Sequence, residues 1–368
     1  MSIERIKSLD GLRFISISLV IFSHLVKWHH VSKRLLDGYG ALGVQMFFVL
    51  SGYLITNLVL KEYEHTSTVN LRDFYARRAF RIFPAAFVFL GIVVALYWHE
   101  MLWYHVLAAS LYLANMDIGR PWMFGHLWSL SIEEQFYLLW PFAVKRWYRH
   151  KVTILLCVLL LAPVFRGTLY AFKARNGVTG SLPVFADQLA IGCLLAILAP
   201  RLPKITKYMA LAMALAVILI PWFPATSRGR TLFMLFVLRP LLDISLAGLV
   251  MHVIQVPYWT LNWTPVVWLG KISYSLYLWQ ELFCSNTRLH FGYSLLLPAL
   301  ACACVSYYFV ERPMLRLREK FSAFKRYRLS ANGSNSQKPR TQAPQPIPSA
   351  VLITSKSSVI PMGSTYAD

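Results

Sequence analysis

The sequence has 368 residues, of which 57% are hydrophobic and 14% charged, and a formal net charge of +21 at pH 7. Soluble domains run nearer half apolar and a quarter charged, so this composition excludes an ordinary soluble fold and points to a chain that crosses a membrane many times. The cations cluster in short segments between apolar runs, as in cytoplasmic loops. That excludes a nucleic-acid surface and assigns the charge to topology and anionic headgroups of membrane lipids, with a polyanionic ligand at one loop as the remaining use.

Apolar runs fall at 12–30, 42–60, 84–98, 127–145, 151–166, 185–199, 207–223, 231–254, 266–284 and 292–310. Each suits a membrane helix, so the fold class predicted is all-α: a polytopic transmembrane helix bundle of about ten spans. A further run at 101–116 fits the charge pattern only as an interfacial or re-entrant piece. The basic segments Lys61 to Arg81, Lys145 to Lys151, Arg201 to Lys207 and Arg312 to Arg328 then all become cytoplasmic, together with both termini. The basic N-terminus lacks a small-residue cleavage site after its apolar stretch and reads as a retained span. Residues 1–328 form one membrane domain, and 329–368, rich in Ser, Pro, Gln, Asn and Lys, a disordered cytoplasmic tail. Cys157, Cys193, Cys284, Cys302 and Cys304 lie in or beside apolar runs without zinc-type spacing, so neither a metal site nor a disulfide framework is expected.

In the first run, Arg13 and His24 are eleven residues apart, hence on nearly one face and separated by roughly 16 Å along a helix. Ionisable groups within a bilayer face a protein interior or a water-filled cavity. His24 reads as a general base, since imidazole exchanges protons near neutral pH, or as a hydrogen-bonded bundle histidine. Asp10 and Arg13, one turn apart, suit an ion pair. His29 and His30 read as interfacial, and Ser23 as facing away from His24.

Gly40, Gly43, Ser51 and Gly52 suit either close helix packing or close backbone approach to a ligand. Arg78 and Arg81 share a face of a short helix just before a span expected to open at Pro84. Guanidinium groups bind phosphate bidentately, so a phosphate-bearing donor on the cytoplasmic side is one reading and positive-inside anchoring the other. His126, Ser129, Glu133 and Tyr137 form a polar stripe at helical spacing, either a structural seam or the wall of a cavity. Arg239 and Asp243, four apart, suit an internal ion pair. Asp187, Glu281 and Glu311, isolated near span ends, read as structural.

The motifs Leu9-Asp-Gly-Leu-Arg13 leading to His24, Gly43-Val-Gln-Met-Phe-Phe-Val-Leu-Ser-Gly-Tyr-Leu54, and Arg78-Ala-Phe-Arg81 before Pro84 occur in that order. They are followed by His126-Leu-Trp-Ser-Leu-Ser-Ile-Glu133, Gly270-Lys-Ile-Ser-Tyr-Ser-Leu-Tyr-Leu-Trp279 and Val310-Glu-Arg-Pro313. With these motifs, from about Ile6 to Met314, the chain resembles acyltransferase family 3, integral membrane enzymes that O-acylate bacterial surface and exported glycans. The resemblance implies the bacterial inner (cytoplasmic) membrane, a cytoplasmic acyl-CoA donor (acetyl-CoA foremost) and a carbohydrate hydroxyl as acceptor. It marks His24, Arg13, Arg78, Arg81, Glu133 and Glu311 as critical. The expected mechanism has Arg78 and Arg81 on the donor phosphates, and His24 as base or transient acyl carrier. Arg13 and Glu133 then orient the imidazole or balance the oxyanion, with Asp10, His126 and Ser129 as further candidates. Gln280 stands where the family often has histidine. A proton-coupled glycan or lipid transporter, relaying protons through the same His and Glu, is the competing class; a scaffold without chemistry is a third.

Overall fold

The computed structural model describes residues 6–25, 33–173, 180–223, 226–284 and 295–318. His29, His30 and the expected tail lie outside them. Every regular element among the described residues is helical: α1 (Lys7–Leu25), α2 (Lys33–Thr66), α3 (Leu71–Tyr97), α4 (Trp103–Ser110), α5 (Leu127–Trp147), α6 (Lys151–Ala171) and α7 (Leu182–Leu198). The chain continues through α8 (Lys207–Leu219), α9 (Arg228–Phe233), α10 (Arg239–Gln255), α11 (Trp259–Asn262), α12 (Thr264–Lys271), α13 (Ser273–Cys284) and α14 (Leu296–Ser306), with π-helical turns at Met234–Leu238 and Tyr307–Glu311.

Among the described residues, Lys7–Leu25, Gly38–Thr66, Leu71–Glu100, Trp122–Ala171 and Arg228–Gln255 are long and apolar enough to cross a membrane; Leu182–Leu198 and Lys207–Trp222 are shorter apolar helices. The segment Trp122–Ala171 holds both α5 and α6. α4, with 8 residues, is about 12 Å long and too short to cross a core of about 30 Å. Outward faces such as Leu156, Leu160 and Leu161 of α6 and Leu211, Leu215 and Leu219 of α8 are exposed, as contact with lipid requires.

α1 and α2 stand at the centre. α1 packs against α2, α10, α11, α12 and α13, and α2 also packs against α5 and α7. Small residues allow these approaches. A Cβ on Gly52 would strike the Leu189 carbonyl of α7, and one on Gly192 the Val49 carbonyl of α2, so the two glycines form one contact. A Cβ on Gly43 would stand 2.5 Å from the Ser16 carbonyl of α1. Helix packing, not ligand approach, accounts for Gly43 and Gly52.

Three expectations change. The span expected to open at Pro84 begins at Leu71, and Pro84 lies inside one continuous α3. Asn70 caps it by accepting from the Asp73 amide at 3.1 Å, and prolines persist in membrane helices where neighbours satisfy the freed backbone. The single run 266–284 is broken at Ile272 into α12 and α13. There a Cβ on Gly270 would collide with the Asp10 carbonyl, so α12 is drawn hard against α1 before α13 sets off. The last helix continues past 310 through the π turn to 318, which buries Glu311.

The stretch between α4 and α5 is irregular, with Tyr112 at φ 54° and Gly119 at φ 82°. Gln135 of α5 secures it, donating to the Tyr112 carbonyl at 3.1 Å and to Asn115 Oδ1 at 2.9 Å. His105 Nδ1 lies 2.7 Å from Asp117 Oδ2. The bond from Gln135 to the Tyr112 carbonyl satisfies a backbone group that no helix pairs.

Candidate active site

Two polar clusters lie inside the apolar bundle. The first gathers around the last turn of α1. His24 meets His126, which sits at the N-cap position of α5, and three residues of α13, Tyr277, Gln280 and Glu281. The spacing of three and four puts those three on one helical face. His24 Nδ1 lies 2.8 Å from Gln280 Oε1 and 3.6 Å from Glu281 Oε2. Glu281 Oε2 is also 3.8 Å from His126 Nδ1 and accepts from Gln280 Nε2 at 3.2 Å. One carboxylate therefore serves two imidazoles and an amide. A Cβ on Gly125 would stand 2.9 Å from Glu281 Oε1, so only glycine leaves room for this carboxylate.

These groups border a cavity of about 230 Å³, lined by His24, His126, Tyr277 and Glu281 with Trp128, Gly40 and others. His126 is 4% exposed, and neither ring nitrogen has a hydrogen-bond partner. A buried polar side chain without a partner is costly, and here the cavity is where a partner fits. Ser23 also lines the cavity, against expectation, but its hydroxyl donates to the Val20 carbonyl at 2.7 Å. From the connection before α5, Arg120 acts on both His126 and Glu281. Burial lowers its pKa from the ordinary guanidinium value, and Asp117 and Glu281 oppose the shift.

The second cluster lies at the other end of α1. Arg13 pairs with Asp10 at 3.3 Å, as expected. Arg78 lies over the Tyr137 ring, 3.8 Å from its centroid, and its Nε is buried without a partner. Glu133 accepts from Ser51 Oγ at 2.6 Å, and Tyr137 donates to the same Oγ at 2.9 Å. Arg81 has Arg13, Arg78 and Glu311 as its charged neighbours, and Glu311 accepts from Ser275 Oγ. Each arginine thus has an acid nearby: Asp10 for Arg13, Glu133 and Glu134 for Arg78, Glu311 for Arg81.

The structure so divides the sequence candidates. His24 and His126 share the cavity, whereas Arg13, Arg78, Arg81, Glu133 and Glu311 form the second cluster, and none of these five lines the cavity. Ser129 and Tyr277 lie between. Ser129 Oγ is 2.5 Å from Tyr277 OH, and Tyr277 feels both Glu281 and Glu133. Arg13 and Glu133, expected to orient the imidazole, do not touch it; Gln280 and Glu281 do. Glu281, which reads as structural in the sequence, is placed by the fold against both imidazoles. The remaining charged group departs too. Asp243 makes no hydrogen bond to Arg239, and the ion pair is Arg166 with Asp187 at 2.5 Å. Arg239 instead rests 5.4 Å from the Phe185 ring. Among the described residues no cluster of three His, Cys, Asp or Glu side chains suits a metal, and all five cysteines are free.

The family model of the acyltransferase domain matches residues 6–310. The chain belongs to acyltransferase family 3. Among curated proteins, this family member is 29% identical over 315 residues to peptidoglycan O-acetyltransferase OatA of Listeria monocytogenes, covering 75% of the chain and 49% of that protein. It is 30% identical over 360 residues to YrhL of Bacillus subtilis, provisionally named a peptidoglycan O-acetyltransferase, covering 84% of the chain and 55% of that protein. The chain spans about half the length of the curated relatives it matches. No solved structure matches it.

Proposed function

We propose that the protein is a membrane O-acetyltransferase that moves an acetyl group from acetyl-CoA to a hydroxyl of a surface or exported glycan. The observation that carries this reading is the cavity where His24 and His126, the latter without a hydrogen bond, meet over Glu281, buried in a chain of this family. Ionisable groups at such a place are expensive and mark function.

The donor enters from the cytoplasmic side, where Arg78 and Arg81 hold its phosphates. Acidic neighbours balance these cations, and Arg78 Nε, buried without a hydrogen-bond partner, supplies a donor. The pantetheine arm carries the thioester past Tyr277 to the cavity. There His24 takes the proton of the acceptor hydroxyl, the oxygen forms the new ester bond, and the thiolate leaves and is protonated in turn. Transient acylation of the imidazole followed by transfer is the two-step variant. The ten helical runs then cross the bilayer with both termini inside, α4 staying at the outer surface.

The test is release of free CoA thiol by membranes carrying the protein, with acetyl-CoA and cell-wall glycan supplied. We expect glycan-dependent thiol release, and its loss by on the order of a hundredfold or more in His24→Ala while the variant still inserts. Equal consumption of acetyl-CoA by both proteins would overturn the reading, and a transporter with the same buried groups would leave acetyl-CoA intact.

A further inference from the structure

We infer that Gln280 and Glu281 fix the tautomer of His24, so that its Nδ1 carries the proton and its Nε2 lone pair is the base in the cavity. This rests on the acyl-transfer reading above and follows from hydrogen-bond roles. A carboxylate only accepts, so the Gln280 group 3.2 Å from Glu281 Oε2 is the amide NH2. The Gln280 carbonyl oxygen is then the end that faces His24 Nδ1 at 2.8 Å. A carbonyl oxygen also only accepts, so His24 Nδ1 must be the donor. In the neutral ring that leaves Nε2 without a proton.

Glu281 thus acts at one remove, its charge turning an amide whose oxygen then turns the imidazole. The carboxylate sets the orientation of the amide: reversing it would bring carbonyl oxygen against Glu281 Oε2. Gly125 leaves room for the Glu281 carboxylate, and Gln280 is fully buried, so water does not compete for the amide. Among the described residues, the titratable groups lining the cavity with His24 are Tyr277 and Glu281 of α13 and His126 ahead of α5, with Arg120 acting on His126 and Glu281; α2 lines it with Gly40, Ala41 and Val44. None of these offers Nδ1 an acceptor as near as the amide oxygen. Gln280 and Glu281 are positioning residues, since neither delivers nor receives the acyl group.

The test has a spectroscopic arm and a kinetic arm. In the full-length protein with 15N-labelled histidine, the His24 signals, assigned by their loss in His24→Gln, should show a protonated Nδ1 and a bare Nε2 in the neutral ring. In Gln280→Leu that preference should collapse to a mixture. Kinetically, Gln280→Leu should lower kcat by on the order of tenfold to a hundredfold with the KM for acetyl-CoA unchanged. Gln280→His should retain most of kcat, because a neutral imidazole accepts through one nitrogen and donates through the other. A wild-type His24 protonated at Nε2, or a Gln280→Leu protein with unaltered kcat, overturns the inference. The spectrum is read without substrate, so it fails or holds apart from the acyl-transfer reading, which is tested separately by acetyl-CoA consumption in wild type and His24→Ala.

Discussion

Ser129 Oγ and Tyr277 OH are 2.5 Å apart, joining α5 to α13 at the level between the two polar clusters. Tyr277 OH also reaches the His126 carbonyl at 3.0 Å, so one phenol ties the helix bearing Gln280 and Glu281 to the residue that opens α5. Tyr277→Phe keeps the ring and removes these bonds. It should lower unfolding stability by about 1 kcal/mol, visible as a drop in melting temperature in detergent. It should also widen the spread of His126 positions, read as a rise in KM for the acceptor. An unchanged melting temperature would deny the phenol its bracing role.

Arg81→Lys keeps the charge beside Glu311 and loses the planar fork that grips a phosphate with two parallel N–H bonds. The expected result is a rise of about tenfold in the KM for acetyl-CoA, with kcat close to wild type, measured by thiol release from washed membranes. A fall in kcat alone would move Arg81 from donor binding to the chemistry.

Gly192→Ala places a methyl against the Val49 carbonyl of α2. Backbone cannot step aside as a flexible side chain does, so the helices must part. Overpacking of this kind costs about 1–3 kcal/mol, and Gly52→Ala, on the other side of the same contact, should cost a similar amount. The double variant should cost less than the sum of the two, because the helices separate once. Strict additivity in a thermal unfolding series would argue against a shared contact.

Neither Arg166 nor Asp187, a buried pair, lines the cavity beside His24. Removing one partner leaves a charge stranded, at a cost of about 3–5 kcal/mol, whereas replacing both with apolar residues of similar size can be nearly neutral. Asp187→Leu alone should therefore destabilise strongly, and Arg166→Met with Asp187→Leu should recover much of the loss. Acetyl transfer per folded molecule should be unchanged in the double variant.

Hydropathy carried the helices, because a residue run of bilayer length is a one-dimensional property that needs no partner to be read. The short α4 also followed, from charge counting on either side of 101–116. Where a decision depended on a second element, the sequence fell silent. Arg239 and Asp243 have ideal spacing for a pair on one helix, yet Arg166 from α6 reaches Asp187 on α7, and no one-dimensional pattern reports that meeting. Pro84 looks like a helix start and lies within one, because membrane helices tolerate proline where neighbours satisfy the backbone. At the site, His24 stood out as a lone imidazole in an apolar run. Glu281 did not, since its meaning comes from two histidines, 257 and 155 residues earlier in the chain, that fold against it.

α13 starts afresh after the break at Ile272 and carries Tyr277, Gln280 and Glu281 on one side. The positions of the three relative to His24 are therefore set together by the angle of this one helix. A rotation of that helix by one residue's worth of twist, about 100°, would withdraw all of them from His24 together. Graded loss of activity is then to be sought in substitutions at the joint around Gly270 and Ile272, which tune the angle of the helix.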